Sequence, residues 1–451
     1  MNKKRFKIPQ KTFLIAVTLL AVVTLLVVFA TSYFATDKNN IPDNNRLPAI
    51  PTPEVATPTP VPVDDTDNDI NEPEPQIEET IISINETNPG LKYSLDFFTA
   101  KSRAVAASVA VFDADVQNFY VYQYGFRDRS IQAPVDADTV FCVASLSKLV
   151  TVICAMTLVD DGLLDIDKDI SEYLEFEIRN PRFPETKVTT RMLMQHTSSL
   201  AFISADDYFS LENLDRTETI QKLLQSRSTW DVWEPGTKYD YSAWLAHSLI
   251  ALICEKLSGQ RFDDFARSRL FEPLGINAAY LASNLQDIGN IAVHYNFYDQ
   301  SIVYTPEDLL LADFKARVSD HERAGAHLMI NALDYARILV MLGNGGVVNE
   351  TRILSEKSIW EITNANIEGD YYMQGLSTRY ESEPDRLFAG YYWHAGGAWG
   401  VSSHYIHRFD ENTNHGVVVI ITGIINDPFP RSTALDLTAL AMQVLNAGNP
   451  E

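Results

Sequence analysis

Hydrophobic and polar positions divide the chain into three stretches of different character. The first is uncharged from Thr12 to Ala35, with Leu, Val, Ile, Ala and Phe dominating Phe13 to Ala30. These 24 residues exceed the ~20 that a membrane-crossing helix needs, so the stretch predicts a transmembrane anchor. The second, residues 36–90, has no apolar period. The third, residues 91–451, alternates between strand and helix spacing. Residues 104–113 read as a buried strand, and the aromatic-rich 118–126 as its hairpin partner. Leu149–Leu158 is an apolar helical run that stops near Asp161-Gly162. From 185 to 345 the pattern is mostly helical, as in 243–257, closed by Ser258-Gly259, and 332–342, closed by Gly343-Asn344-Gly345. Strand character returns at 390–394, 402–408 and 416–422, and 432–446 reads as a closing amphipathic helix. Strands at both ends with helices between them predict an α/β (α+β) domain. Its antiparallel sheet comes from both ends of the domain, flanked by helices, with an inserted mostly helical region.

Charge sharpens this division. The net charge is −24, yet residues 1–35 carry +5, all of it on Lys3, Lys4, Arg5, Lys7 and Lys11. A basic tail, residues 1–11, keeps the N-terminus cytoplasmic and puts the rest of the chain outside. Tyr33 and Phe34 fall where an outer interfacial belt would lie. A cleaved signal peptide is the competing reading, since Ala30-Thr31-Ser32 offers small residues. Its apolar core, however, should be only about 7–15 residues. Residues 36–90 hold ten of the 21 prolines and a charge of −10. Fixed φ angles and like-charge repulsion predict an extended acidic linker there. The remaining −19 lies on residues 91–451 and argues against nucleic acid as a partner. Three cysteines exclude a disulfide scaffold. Cys142, Cys154 and Cys254 sit in apolar runs and are expected in the core.

The candidate chemistry begins at Ser145-Leu146-Ser147-Lys148. The pair Ser145 and Lys148 alone is expected by chance in this composition, but its context is specific. An extended apolar run precedes it and a long apolar helix follows. That places Ser145 in the first helical turn with Lys148 on the same face. A serine hydroxyl needs a neighbouring base, and a buried amine near other cations can lose its proton near neutrality. The helix N-terminus offers N–H groups to an oxyanion. A serine cap followed by a surface lysine is the structural alternative.

Ser-x-x-Lys on an apolar helix resembles the penicillin-binding-protein and serine β-lactamase superfamily, most of all its class C-like branch. The resemblance covers roughly residues 95–447. Leu193-Met194-Gln195-His196-Thr197-Ser198-Ser199-Leu200 is similar to the family's Leu-Leu-x-His-Thr-Ser-Gly-Leu, where the histidine is structural. Pro235-Gly236-Thr237-Lys238-Tyr239-Asp240-Tyr241-Ser242-Ala243 resembles the second catalytic motif. The match implies that Tyr241 shares proton transfer with Lys148, and that Ala243 replaces the Asn that usually contacts an amide substrate. His394-Ala395-Gly396-Gly397-Ala398-Trp399-Gly400 resembles the third motif. It implies that the Gly397 N–H joins the Ser145 N–H as oxyanion hole, with His394 and Gly396 lining the cleft. Glycines let a substrate backbone approach, and a histidine in place of the usual lysine exchanges a permanent charge for one that titrates near neutrality. Two further segments, 322–337 and 373–376, match family motifs in order. The implied fold is β-lactamase/transpeptidase-like.

These residues predict a membrane-anchored, extracytoplasmic serine hydrolase, monomeric, acting through a Ser145 acyl-enzyme on an amide or ester: a cell-wall D-amino-acid peptide, a β-lactam-like molecule or an ester. The alternative is a degenerate member that binds or senses cell-wall fragments. No metal or cofactor is expected: His404 and His407 face opposite sides of a strand, and no Cys-x-x-Cys or phosphate-binding glycine motif is present.

Overall fold

A computed structural model describes residues 79–114, 117–202, 216–315, 323–369, 372–410, 412–425 and 430–447. The expected anchor at 12–35, and the acidic linker as far as Glu78, lie outside them. Among the described residues no helix is long and apolar enough to cross a membrane.

Nine strands form the path of the main sheet. They are β1 (Thr80–Ser83), β2 (Ala106–Asp113), β3 (Asn118–Asp128), β4 (Ile367–Glu368), β5 (Met373–Gln374), β6 (Arg379–Tyr380), β7 (Tyr392–Ala398), β8 (Val401–Asp410) and β9 (Thr413–Thr422). Their order is β1-β3-β2-β9-β8-β7-β6-β5-β4, so N-terminal β2 lies beside C-terminal β9, with Val419 opposite Val109. The two ends of the domain thus share one sheet, as their strand patterns predict. One pairing departs from the expected antiparallel sheet: β1 runs parallel to β3, which makes the sheet mixed. The last part of the segment read as linker, from Thr80 onward, is therefore folded. Asn85 ties this part to the sheet, donating to the carbonyl of Gln123 and accepting from its N–H. Composition hides this because an acidic, Pro-rich stretch runs into the short apolar Thr80–Ile84 without a break.

Side-chain alternation along β9 builds two cores. Val417, Val419 and Ile421 pack with Leu91, Leu95 and Leu437 on one face. They meet helices α1 (Pro89–Lys101) and α5 (Pro430–Ala441) there. Val418 and Ile420 join the larger core on the other face, against α2 (Ser147–Asp160), α3 (Leu245–Ser258) and α4 (Ala332–Gly343). Helix α2 is buried from Ser147 to Leu158, on every face, which is why its sequence is apolar rather than amphipathic. Gly259, at φ 71°, ends α3 in the left-handed conformation that glycine adopts most readily.

Candidate active site

Ser145 is the half-exposed position in an otherwise buried run from Val140 to Val150. It sits in a 3-10 turn, Ala144–Leu146, that leads into α2, a tighter entry than the regular helical turn its spacing suggests. Three elements hold this turn. Ser403 Oγ on β8 donates to Val143 O at 2.7 Å. Val143 N donates to Leu328 O at 2.9 Å. Ser147 Oγ donates to Ala144 O at 2.6 Å and accepts from Leu328 N at 3.0 Å. Together they keep Ala144 at φ 48°, a left-handed conformation that costs roughly 1–2 kcal/mol for a residue with a Cβ.

Two groups reach Ser145 Oγ. Tyr241 Oη donates to it at 2.9 Å, and Lys148 Nζ at 3.3 Å. Lys148 is fully buried, and its ammonium also donates to Gly325 O at 2.7 Å. Burial pushes the Lys148 amine below its ordinary value; the facing Tyr241 opposes this, and Arg379 adds to it. Burial works against ionisation of the Tyr241 phenol as well. Lys148, the Ser145 hydroxyl and Arg379 outweigh it and hold the phenol below its ordinary 10.0. The pair is thus set to pass one proton between them, the requirement for activating a serine near neutral pH.

His196 packs its ring 4.4 Å from that of Tyr241, and its Nδ1 accepts from Ser242 N at 3.3 Å. Asp240 N donates to His196 O at 2.8 Å. His196 therefore seats the Tyr241 loop rather than touching Ser145. Ser199, where the family has glycine, has φ 59°, the conformation that explains the family's choice. Its Oγ accepts from Asn180 Nδ2 at 3.0 Å.

The glycines of β7 divide their work. Gly397 is exposed, and a Cβ built on it would meet nothing within 4 Å. Gly396 is buried, and a Cβ there would lie 2.4 Å from Ser403 Oγ, 2.7 Å from Val143 O and 3.0 Å from Ser145 N. Gly396 therefore lets β7 press against the Ser145 turn and does not line an open cleft, a correction to the sequence expectation. Gly396→Ala should lower both melting temperature and turnover. Gly397→Ala should leave the melting temperature within about a degree of wild type, since its Cβ displaces no protein atom. Thermal unfolding beside a rate assay checks both.

His394 is 1% exposed. Its Nδ1 lies 2.9 Å from Ala395 O, and its ring is 6.3 Å from that of Tyr241. Burial, then the nearby Arg379 and Lys148, push its imidazole well below the ordinary value. It is neutral at pH 7 and does not titrate near neutrality as its residue type suggests.

Sequence reading missed two members of this constellation. Gly325 O fixes the lysine; its place in the Ala324-Gly325 match gave the segment but not the carbonyl's role. Arg379 lies on β6, with its Cζ 5.7 Å from the Tyr241 ring. It follows the weakly matched Met373–Leu376 segment, and only β6–β7 pairing brings it in. His404 and His407 bind separate partners, Thr438 and Asn414. Among the described residues no cluster could hold a metal ion. The three cysteines are free and buried.

The chain and its fold resemble known proteins. A family model described as Beta-lactamase matches residues 96–441. Penicillin-binding protein 4* of Bacillus subtilis is 29% identical over 164 residues, 35% of this chain and 34% of that protein. Lovastatin esterase of Penicillium rubens is 24% identical over 260 residues, 52% of this chain and 64% of that protein. The chain thus spans about a third to two thirds of these relatives' lengths. A solved class C beta-lactamase shares the fold, with a TM-score of 0.62 at 18% identity over 80% of this chain and 97% of the other. With most of its length matched by that model, and with Ser145, Lys148 and Tyr241 joined at one hydroxyl, the chain belongs to the Beta-lactamase family.

Proposed function

We propose that this protein is a serine hydrolase that transfers an acyl group from an ester or amide to Ser145 and then to water. The observation that carries this reading is the Ser145 hydroxyl bonded to both Tyr241 and Lys148. Its proton passes to that pair as Oγ attacks the carbonyl carbon. The N–H groups of Ser145 and Gly397 take the oxyanion. The pair returns the proton to the leaving oxygen or nitrogen, and water, deprotonated by the same pair, releases the acyl group. The uncharged stretch 12–35 and its basic flank support a membrane-tethered domain on the outer side. Loss of membrane sedimentation on deleting residues 1–35 would test that placement.

The substrate we favour is an ester. Ala243 is buried and has no amide with which to grip a peptide or β-lactam side chain. Ala243→Asn should raise the ratio of amide to ester turnover about tenfold, the worth of one added polar contact of about 1.4 kcal/mol. An unchanged ratio would remove Ala243 as the determinant. The test of the reading as a whole is a fluorophosphonate or labelled penicillin adduct on intact protein. Absence of an adduct, with no hydrolysis of short-chain esters or D-Ala-D-Ala peptides, would favour a module that only binds cell-wall fragments.

A further inference from the structure

Two imidazoles flank Tyr241, and one of them, His394, stands where the motif it resembles usually has a lysine. His196 and His394 face it directly, and the ring of His247 lies 5.4 Å from that of His196. Burial pushes all three well below their ordinary value, and the charge of Lys148 pushes the same way. None of them carries a charge at pH 7. The cations facing the phenol are Lys148, whose own proton is in play, and Arg379.

Arg379 is 8% exposed and enters from β6, paired with Trp393, the neighbour of His394. Its Cζ lies 4.6 Å from the Tyr372 ring centroid, 4.9 Å from that of Trp393 and 5.7 Å from that of Tyr241. Among the described residues its Nε has no acceptor, its side chain hydrogen-bonds Tyr239, and the groups that favour its charge are the phenols of Tyr239, Tyr372 and Tyr241 rather than a carboxylate. A buried guanidinium is costly to desolvate unless a negative charge answers it. Tyr239 and Tyr372 are tied to each other, hydroxyl to hydroxyl, at 2.9 Å. The Tyr405 hydroxyl is engaged with Thr378 Oγ1 at 2.8 Å, and burial pushes that phenol up. Tyr241 alone among these has a second cation, Lys148, at its ring.

We propose that Arg379 is the permanent cation that holds Tyr241 ready as a phenolate, supplied from the neighbouring strand in place of the charge that His394 lacks. Arg379 is thus a positioning residue that acts through Tyr241, and the inference rests on the hydrolase reading above. Removing it raises the pH at which the Tyr241–Lys148 pair gives up its proton.

The test is the acid limb of kcat/KM against pH for a short-chain ester. In Arg379→Gln the limb should move up by about one pH unit, with a roughly tenfold loss at neutral pH that is recovered at higher pH. Arg379→Lys should keep the wild-type limb. His394→Lys in the Arg379→Gln background should bring the limb back down, because it returns a cation to β7. Arg379→Met, which keeps an apolar stem against Trp393, takes the place of Arg379→Gln if that variant does not fold. A limb that stays put while activity falls at every pH would overturn the inference and leave a packing role. Absence of Ser145-dependent turnover in the wild type would overturn the hydrolase reading and this inference together.

Discussion

Ser145→Ala is expected to lower ester turnover by about ten-thousand-fold or more and to abolish covalent labelling, with the fold intact. The magnitude follows from losing the covalent route altogether while oxyanion donors and binding remain. The fold survives because Ser145 is half-exposed and its turn is held by Val143, Ala144 and Ser147 rather than by its own side chain. Intact-mass detection of a fluorophosphonate adduct, beside a thermal melt, checks both parts. An alanine variant that still forms a stoichiometric adduct would move the nucleophile elsewhere.

Tyr241→Phe removes one oxygen and should cost a hundred- to ten-thousand-fold in kcat/KM, the range for a lost general acid–base group. The ring keeps its place against His196, so the melting temperature should change little. The pH profile distinguishes this from a general disturbance. Lys148, the Ser145 hydroxyl and Arg379 hold the phenol below its ordinary value in the wild type, so the wild-type acid limb should lie below that of a variant lacking either cation. In Tyr241→Phe the remaining limb reports the Lys148 amine alone, itself pushed down by burial. A variant with wild-type rate would leave Lys148 as the only base and remove Arg379 from the electrostatics of the reaction.

Much of the site is legible in the chain because its parts are local. Ser145 and Lys148 share a helical face by spacing alone, and the strand before them and apolar helix after them are visible in the pattern. The glycine cluster near β7 marks a close approach, but Gly396 and Gly397 look alike in sequence. Their separate roles depend on which one faces Val143 and which faces open space. The charge of His394 is likewise hidden, since a histidine's protonation is set by burial and neighbouring cations rather than by its type.

Residue spacing foretold the strand pair within 104–126, the apolar helix after Ser145, the late strands that complete a sheet shared by both ends of the domain, and the common face of Ser145 and Lys148. All of these follow from spacings within one element or one alternating pattern. Tyr241, 96 residues away, is marked only by the motif resemblance, and its meeting with the same hydroxyl at 2.9 Å was decided by the tertiary structure. It alone decided that Thr80–Ser83 adds a parallel strand to the sheet, and that a two-residue pairing of β6 with β7 carries Arg379 to the phenol. Those contacts come from packing between distant segments, and no local period encodes them.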